Sequence, residues 1–353
     1  MTSSPELTVT PQSCLMDESV TVKVTGLEKD SVYTLHTTAS DSNGVPFFTV
    51  ATYKSNTAGE IDLTKTPALG GHFRGVLPMA PFAQLLPVEQ KALFPRFSYS
   101  DVTKPVQFVL SLYQGPIAVQ LATIGAEKSG LKPYEDLQES MQTGFDIAYF
   151  DEAVQYLLSR QEVLKVGVGV IGSSKGGDLT LSMATNIPQV KAAVVVNGAI
   201  CSVGSTTKLK DGTEKPTLPM DIAKIMLRRD NVMDMYYLTP NPADYPDAII
   251  PVEEAYGDIL WLCSMADRAF NNEVFAELAV KRCTENGKPD KVKVLKYPGA
   301  GHLLEPPNIP FCEMALQEIM KIGTMWGGNA DEHCAAQEDS WKQVIAFYNE
   351  KLR

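Results

Sequence analysis

Basic residues are too few here to serve a polyanion: 31 Lys and Arg stand against 42 Asp and Glu, a net charge of −11. Nucleic acids and anionic membrane surfaces are bound through clustered cations, so neither is an expected partner. No stretch approaches the roughly 18 apolar residues of a spanning helix, so no membrane span is expected. The six cysteines (Cys14, Cys201, Cys263, Cys283, Cys312 and Cys334) form no C-x-x-C pair and no tight spacing. A disulfide framework or a zinc site is therefore not expected, and a reduced intracellular protein is the natural reading. The four histidines are scattered, which leaves no His-rich metal centre; neither metal nor cofactor is expected. The start, Met1-Thr2-Ser3-Ser4-Pro5-Glu6, has neither the basic and apolar regions of a secretory signal nor the arginine-rich character of a presequence. The end, Lys351-Leu352-Arg353, is not the Ser-Lys-Leu peroxisomal address. The cytoplasm is the expected compartment.

What is present reads as two halves. With 353 residues, 44% of them apolar and 21% charged, the chain can build two domains and a sizeable core. Residues 1–115 read as β: Val20–Val24 alternates, and Val32–Leu35, Val45–Tyr53 and Val106–Tyr113 are rich in strand formers. Turn signals at Asp41-Ser42-Asn43-Gly44, Ala58-Gly59 and Leu69-Gly70-Gly71 divide them, which suggests a β-sandwich. His36 and His72 fall in this half and read as structural. In residues 116–353 the rhythm becomes α/β. A helix is expected over about Ser140–Ser159, then buried strands at Val166–Ile171, Ala192–Asn197, Ile259–Cys263 and Val292–Tyr297. Apolar runs without alternation, separated by helices, predict a parallel sheet covered on both faces.

Gly172-Ser173-Ser174-Lys175-Gly176 fits G-x-S-x-G between a buried strand and a helix, the setting of a nucleophile elbow. Glycines permit a tight turn, and the helix N-terminus offers backbone N–H groups to a developing oxyanion, Lys175 first among them. Ser174 holds the central position of the motif, with Ser173 beside it. A serine needs a general base, usually a histidine oriented by a carboxylate. His302 follows a strand through the turn Pro298-Gly299-Ala300-Gly301, where a catalytic histidine is expected. The competitor, His333, sits in a polar stretch and reads as a surface residue. Asp267 lies past the carboxyl end of the Ile259–Cys263 strand, whereas Asp258 stands before it, so Asp267 is the expected acid.

These residues resemble the acyl-CoA thioesterase and bile acid-CoA:amino acid N-acyltransferase family. The similarity is carried by the elbow Ile171–Leu179, by Pro67–Gly71 and Gly75–Met79, by Tyr149–Ala153, by Tyr297–His302 with Glu305-Pro306-Pro307, by Trp326-Gly327-Gly328 and by Trp341-Lys342-Gln343. The resemblance implies an N-terminal immunoglobulin-like sandwich followed by an α/β-hydrolase domain, with Ser174, Asp267 and His302 as nucleophile, acid and base. It also implies a fatty acyl-CoA substrate, cleaved to free acid and coenzyme A. Acyltransferase members typically carry cysteine at the nucleophile position, so the serine favours hydrolysis. Transfer of the acyl group to an amino acid, or a non-catalytic truncated paralogue, are the alternatives.

One departure stands out. Only about 50 residues separate Gly115 from Val166, too few for the early strands of a hydrolase sheet, each about 5–6 residues with its connections, beside a helix. The family's glycine-rich segment, source of the second oxyanion donor, is also missing. The chain is therefore expected to carry an internal deletion after Gly115, with Pro116–Lys132 as the junction. The expected consequence is an impaired enzyme: one lost oxyanion donor costs on the order of 3–4 kcal/mol.

Overall fold

The computed structural model describes residues 5–88, 96–99, 101, 103–115, 144–228, 232–317 and 322–353. The junction expected at Pro116–Lys132 lies outside them, as does the start expected for the helix at Ser140. The chain divides into two compact units, Met1–Lys132 with Glu305–Leu316, and Pro133–Leu304 with Gln317–Arg353.

The first unit is antiparallel. Strands β1 (Glu6–Thr10), β2 (Thr21–Thr25) and β5 (Ile61–Asp62) form one sheet; β3 (Val32–Ser40), β4 (Pro46–Lys54), β6 (Gly70–Gly71) and β8 (Phe108–Gln114) form the other, with β7 (Leu86–Pro87) on β4. Val22 and Val24 of the first sheet share one core with Leu35, Ala51 and Tyr53 of the second. Two sheets over a common core make the sandwich that the alternating runs predicted. Leu69-Gly70-Gly71, expected as a turn, instead supplies a short strand that pairs with Thr52 and Ala51. At Gly71, with φ at +117°, a Cβ would stand 2.1 Å from the Val50 carbonyl oxygen, so only glycine lets the two backbones meet here.

The second unit is α/β. Its main elements are α1 (Ile147–Ser159), β9 (Val168–Ser173), α2 (Lys175–Asn186), β10 (Val190–Val196), β11 (Asp258–Ser264), α3 (Asn272–Glu285), β12 (Val292–Tyr297) and α4 (Ala330–Lys351). The four strands are parallel, in the order β9-β10-β11-β12. Val195 and Trp261 face one core, with Leu181 and Phe275 from α2 and α3. Their neighbours Val194 and Leu260 face the opposite core, with Ala336 and Phe347 from α4. Burial on both faces is why the runs of the two central strands, β10 and β11, do not alternate, whereas β9 and β12 expose residues such as Ile171, Lys293 and Lys296. Among the described residues β9 pairs only with β10. Among these residues the elbow strand is an outermost strand of the sheet, and Ile171 on it is 50% exposed.

Candidate active site

The parallel sheet brings the carboxyl ends of its four strands to one edge, and the candidate residues follow from them in order. Ser174 comes directly after β9, Asn197 after β10, Asp267 three residues past β11, and His302 five past β12. Loops at this edge are where an α/β sheet presents ligands and reactive groups.

Ser174 sits between β9 and α2 with φ +56° and ψ −121°, a conformation that non-glycine residues rarely hold. Its N–H donates to the Val196 carbonyl (2.9 Å) and its carbonyl accepts from the Gly177 N–H (2.9 Å), so both neighbours enforce the turn. A Cβ at Gly172 would lie 1.9 Å from the Gly176 carbonyl oxygen, whereas one at Gly176 would meet nothing within 4 Å. Only the first of the two motif glycines is therefore sterically obligatory. Lys175 opens α2, where first-turn N–H groups have no helical acceptor. Its ammonium donates to Asp178 Oδ2 (2.9 Å) and to the Ser205 carbonyl (3.0 Å). Asp178 is fully buried, and that burial pushes its carboxyl up to about 6 although Lys175 opposes the shift.

Asp267 and His302 meet directly: His302 Nδ1 is 2.7 Å from Asp267 Oδ2. Asp267 Oδ1 accepts from the N–H groups of Ala269 (2.7 Å) and Phe270 (3.1 Å), and Asn272 Nδ2 donates to Oδ2 (3.1 Å). The carboxylate is thus saturated by donors, which satisfies a buried charge. The His302 ring stacks on Trp326 (centroids 5.4 Å apart, planes at 14°) and meets Phe270 edge-on at 5.5 Å. The backbone N–H of His302 donates to the Trp326 carbonyl (2.9 Å). The structure therefore joins the residues expected as acid and base, while Ser174 Oγ makes no hydrogen bond to either among the described residues. In unliganded sites such contacts are often long and tighten only with substrate.

Asp258, the competing acid, opens β11 and pairs with Lys291 (3.5 Å) and Lys351 (3.0 Å), at the opposite end of that strand from Asp267. Ser173 closes β9 and faces solvent.

Two residues of this region were not legible as part of it. Asn197, buried and at φ +47°, ties the end of β11 to the His302 loop. A polar residue ending the apolar run Ala192–Val196 was its only signal. His333, expected at the surface, is instead 2% exposed, in the first turn of α4. Burial pushes its pKa down to about 4. The polar stretch that hid it is the start of a helix whose inward stripe, His333, Ala336, Gln337, Ser340, Val344 and Phe347, keeps helical spacing with small and polar residues in it.

No group of three or more His, Cys, Asp or Glu able to hold a metal occurs among the described residues, and none of their helices is long and apolar enough to cross a membrane.

Residues 145–353 match the family described as BAAT / Acyl-CoA thioester hydrolase C terminal, and residues 17–134 its N-terminal region. The chain is 32% identical to Acyl-coenzyme A thioesterase 1 of Homo sapiens over 404 residues, covering 96% of this chain and 94% of that one. It is 32% identical to the human Acyl-coenzyme A thioesterase 2, mitochondrial (96% and 82% covered). It is 30% identical to Acyl-coenzyme A amino acid N-acyltransferase 2 of Mus musculus (98% of each). The 404-residue aligned span is longer than the chain's own 353 residues. Interior residues of that relative therefore have no counterpart here.

Proposed function

Because this chain belongs to the BAAT / acyl-CoA thioester hydrolase family, we propose that it hydrolyses fatty acyl-CoA thioesters through Ser174, His302 and Asp267. The observation that carries this reading is the buried Asp267–His302 pair, at the same sheet edge as a serine held in a strained strand-to-helix turn.

Ser174 Oγ attacks the thioester carbonyl as His302 Nε2 takes its proton. Asp267, bound to Nδ1, holds the ring in one tautomer and stabilises its charged form. The tetrahedral oxyanion is met by the Lys175 N–H and the positive end of α2. Collapse expels coenzyme A, which recovers the proton from His302, and leaves an ester on Ser174. Water, deprotonated by the same imidazole, then releases the fatty acid. An oxygen ester is less reactive toward amines than a thioester on cysteine, which favours hydrolysis over transfer to an amino acid.

We place the residues missing relative to the family after Gly115. Support comes from the outer side of β9, which pairs with nothing among the described residues, and from the absence from the sequence of a glycine-rich segment that would carry a second oxyanion donor. The sandwich is read as the family's immunoglobulin-like domain on the strength of its two antiparallel sheets over one core.

The test uses the purified chain with a long-chain acyl-CoA, following free thiol release, with and without glycine or taurine. Free acid in both cases, lost in Ser174→Ala, is the expected result. An N-acyl amino acid as the main product replaces hydrolysis with transfer. Absence of both turnover and fluorophosphonate labelling of Ser174 leaves the non-catalytic paralogue.

A further inference from the structure

The tripeptide centred on His302 is held by two side chains from other elements. His333 Nδ1 accepts from the Gly301 N–H (3.0 Å), and its Nε2 lies 3.1 Å from the Leu303 carbonyl oxygen. A carbonyl oxygen only accepts, so Nε2 carries the proton and Nδ1 the lone pair. The ring is therefore neutral, in a single tautomer, bridging the peptide groups on either side of His302. Burial favours the same uncharged state. Asn197 holds the same tripeptide separately: its Nδ2 donates to the carbonyls of His302 (2.8 Å) and Gly301 (3.3 Å), while its Oδ1 accepts from the Ser264 N–H (2.7 Å).

We propose that His333 is a positioning residue for His302: its neutral imidazole clamps the Gly301 and Leu303 peptides and so sets where His302 Nε2 points. The inference rests on His302 being the general base. Misplacing a catalytic group by about 1 Å can cost on the order of 10²-fold in rate. A loop containing Gly299 and Gly301 has little stiffness of its own to prevent that. The clamp supplies it through two directional bonds, one from a donor and one to an acceptor, that a packed apolar side chain could not make.

Two substitutions separate the hydrogen bonds from the ring's volume. His333→Phe keeps a ring but offers neither donor nor acceptor. His333→Gln offers an oxygen and an N–H at comparable spacing without the ring. The expected result is kcat lowered about 10- to 100-fold in the Phe variant, KM nearly unchanged, and Gln close to wild type. The reverse order, or equal loss in both, would reduce His333 to packing and overturn the proposal. Should the Phe variant not fold, a Gln variant more than about ten-fold down in kcat overturns it as well. A second readout needs no turnover: the low-field proton resonance of His302 Nδ1–H on Asp267. It should persist in Gln and broaden or shift in Phe, and an unchanged resonance in Phe counts against the clamp. If the wild type releases no coenzyme A, the hydrolase reading fails while this resonance still decides the positioning role.

Discussion

Asp267 Oδ2 and His302 Nδ1 lie 2.7 Å apart with their side chains only 1% and 2% exposed, and every other contact of the carboxylate is a donor. The hydrogen bond joins the ends of two adjacent parallel strands, so the sheet register sets it and no local sequence could.

Asp267→Asn should lower kcat on the order of 10³–10⁴-fold, because an amide can present N–H to Nδ1 and favour the wrong tautomer. Asp258→Asn, whose carboxylate pairs with Lys291 and Lys351 at the far end of β11, should leave turnover near wild type. Steady-state kinetics of both variants decide the matter; greater damage at Asp258 reverses the choice of acid.

Ser174→Ala should abolish turnover and fluorophosphonate labelling while leaving the thermal transition close to wild type. Ser174→Gly, equally inactive, should be more stable to unfolding than the Ala variant by about 1 kcal/mol and melt above it, since alanine keeps the strain of a positive φ and glycine relieves it. Calorimetry on the pair checks this; an Ala variant at least as stable as Gly would mean the turn holds little strain.

His333 also predicts a pH effect on stability. Its folded pKa is lowered to about 4 from 6.5, so between those values the unfolded chain binds the extra proton and stability rises with pH. The contribution is full above about 6.5 and is lost as pH falls toward 4, on the order of 3 kcal/mol in total. Asp178, whose pKa is raised to about 6, acts in the opposite direction over part of this window. The measurement is therefore a difference: denaturant unfolding of wild type and His333→Gln from pH 7 to 4. Wild type should lose stability relative to the variant; parallel curves would contradict a buried neutral imidazole.

Restoring the family's missing residues after Gly115 should raise turnover by up to about 10²–10³-fold, the worth of one oxyanion donor. It should also raise the monomer fraction, because β9 then gains a neighbour on the side where no described residue pairs with it and where Ile171 is 50% exposed. Kinetics and light scattering of the two chains side by side are the test. Equal activity and equal monodispersity would show that no element is missing.

Much of this was readable in the chain itself. Strand-forming runs between turns located the four described parallel strands to within about two residues. The two central ones are buried on both faces and read as apolar throughout their middles, while Val292–Tyr297, with exposed Lys293 and Lys296, was located residue for residue. The helix expected from about Ser140 is described from Ile147, where Asp146 caps it by accepting from the Ala148 N–H (2.8 Å). Apolar spacing marks a helix face and is silent about where the helix begins.

Local chemistry alone sufficed for the elbow: glycine, serine and glycine between a buried strand and a helix define that turn whatever surrounds it. The partnership of Asp267 with His302 needed strand order, and the roles of Asn197 and His333 needed tertiary structure outright. Both are polar groups whose place is decided by the backbone groups they satisfy. Those groups, at Gly301, His302 and Leu303, lie in a loop more than 100 residues from Asn197 and 30 or more from His333. Periodicity reports which residues leave water, but the partner that a buried polar group finds is fixed only when the sheet brings its strand ends together.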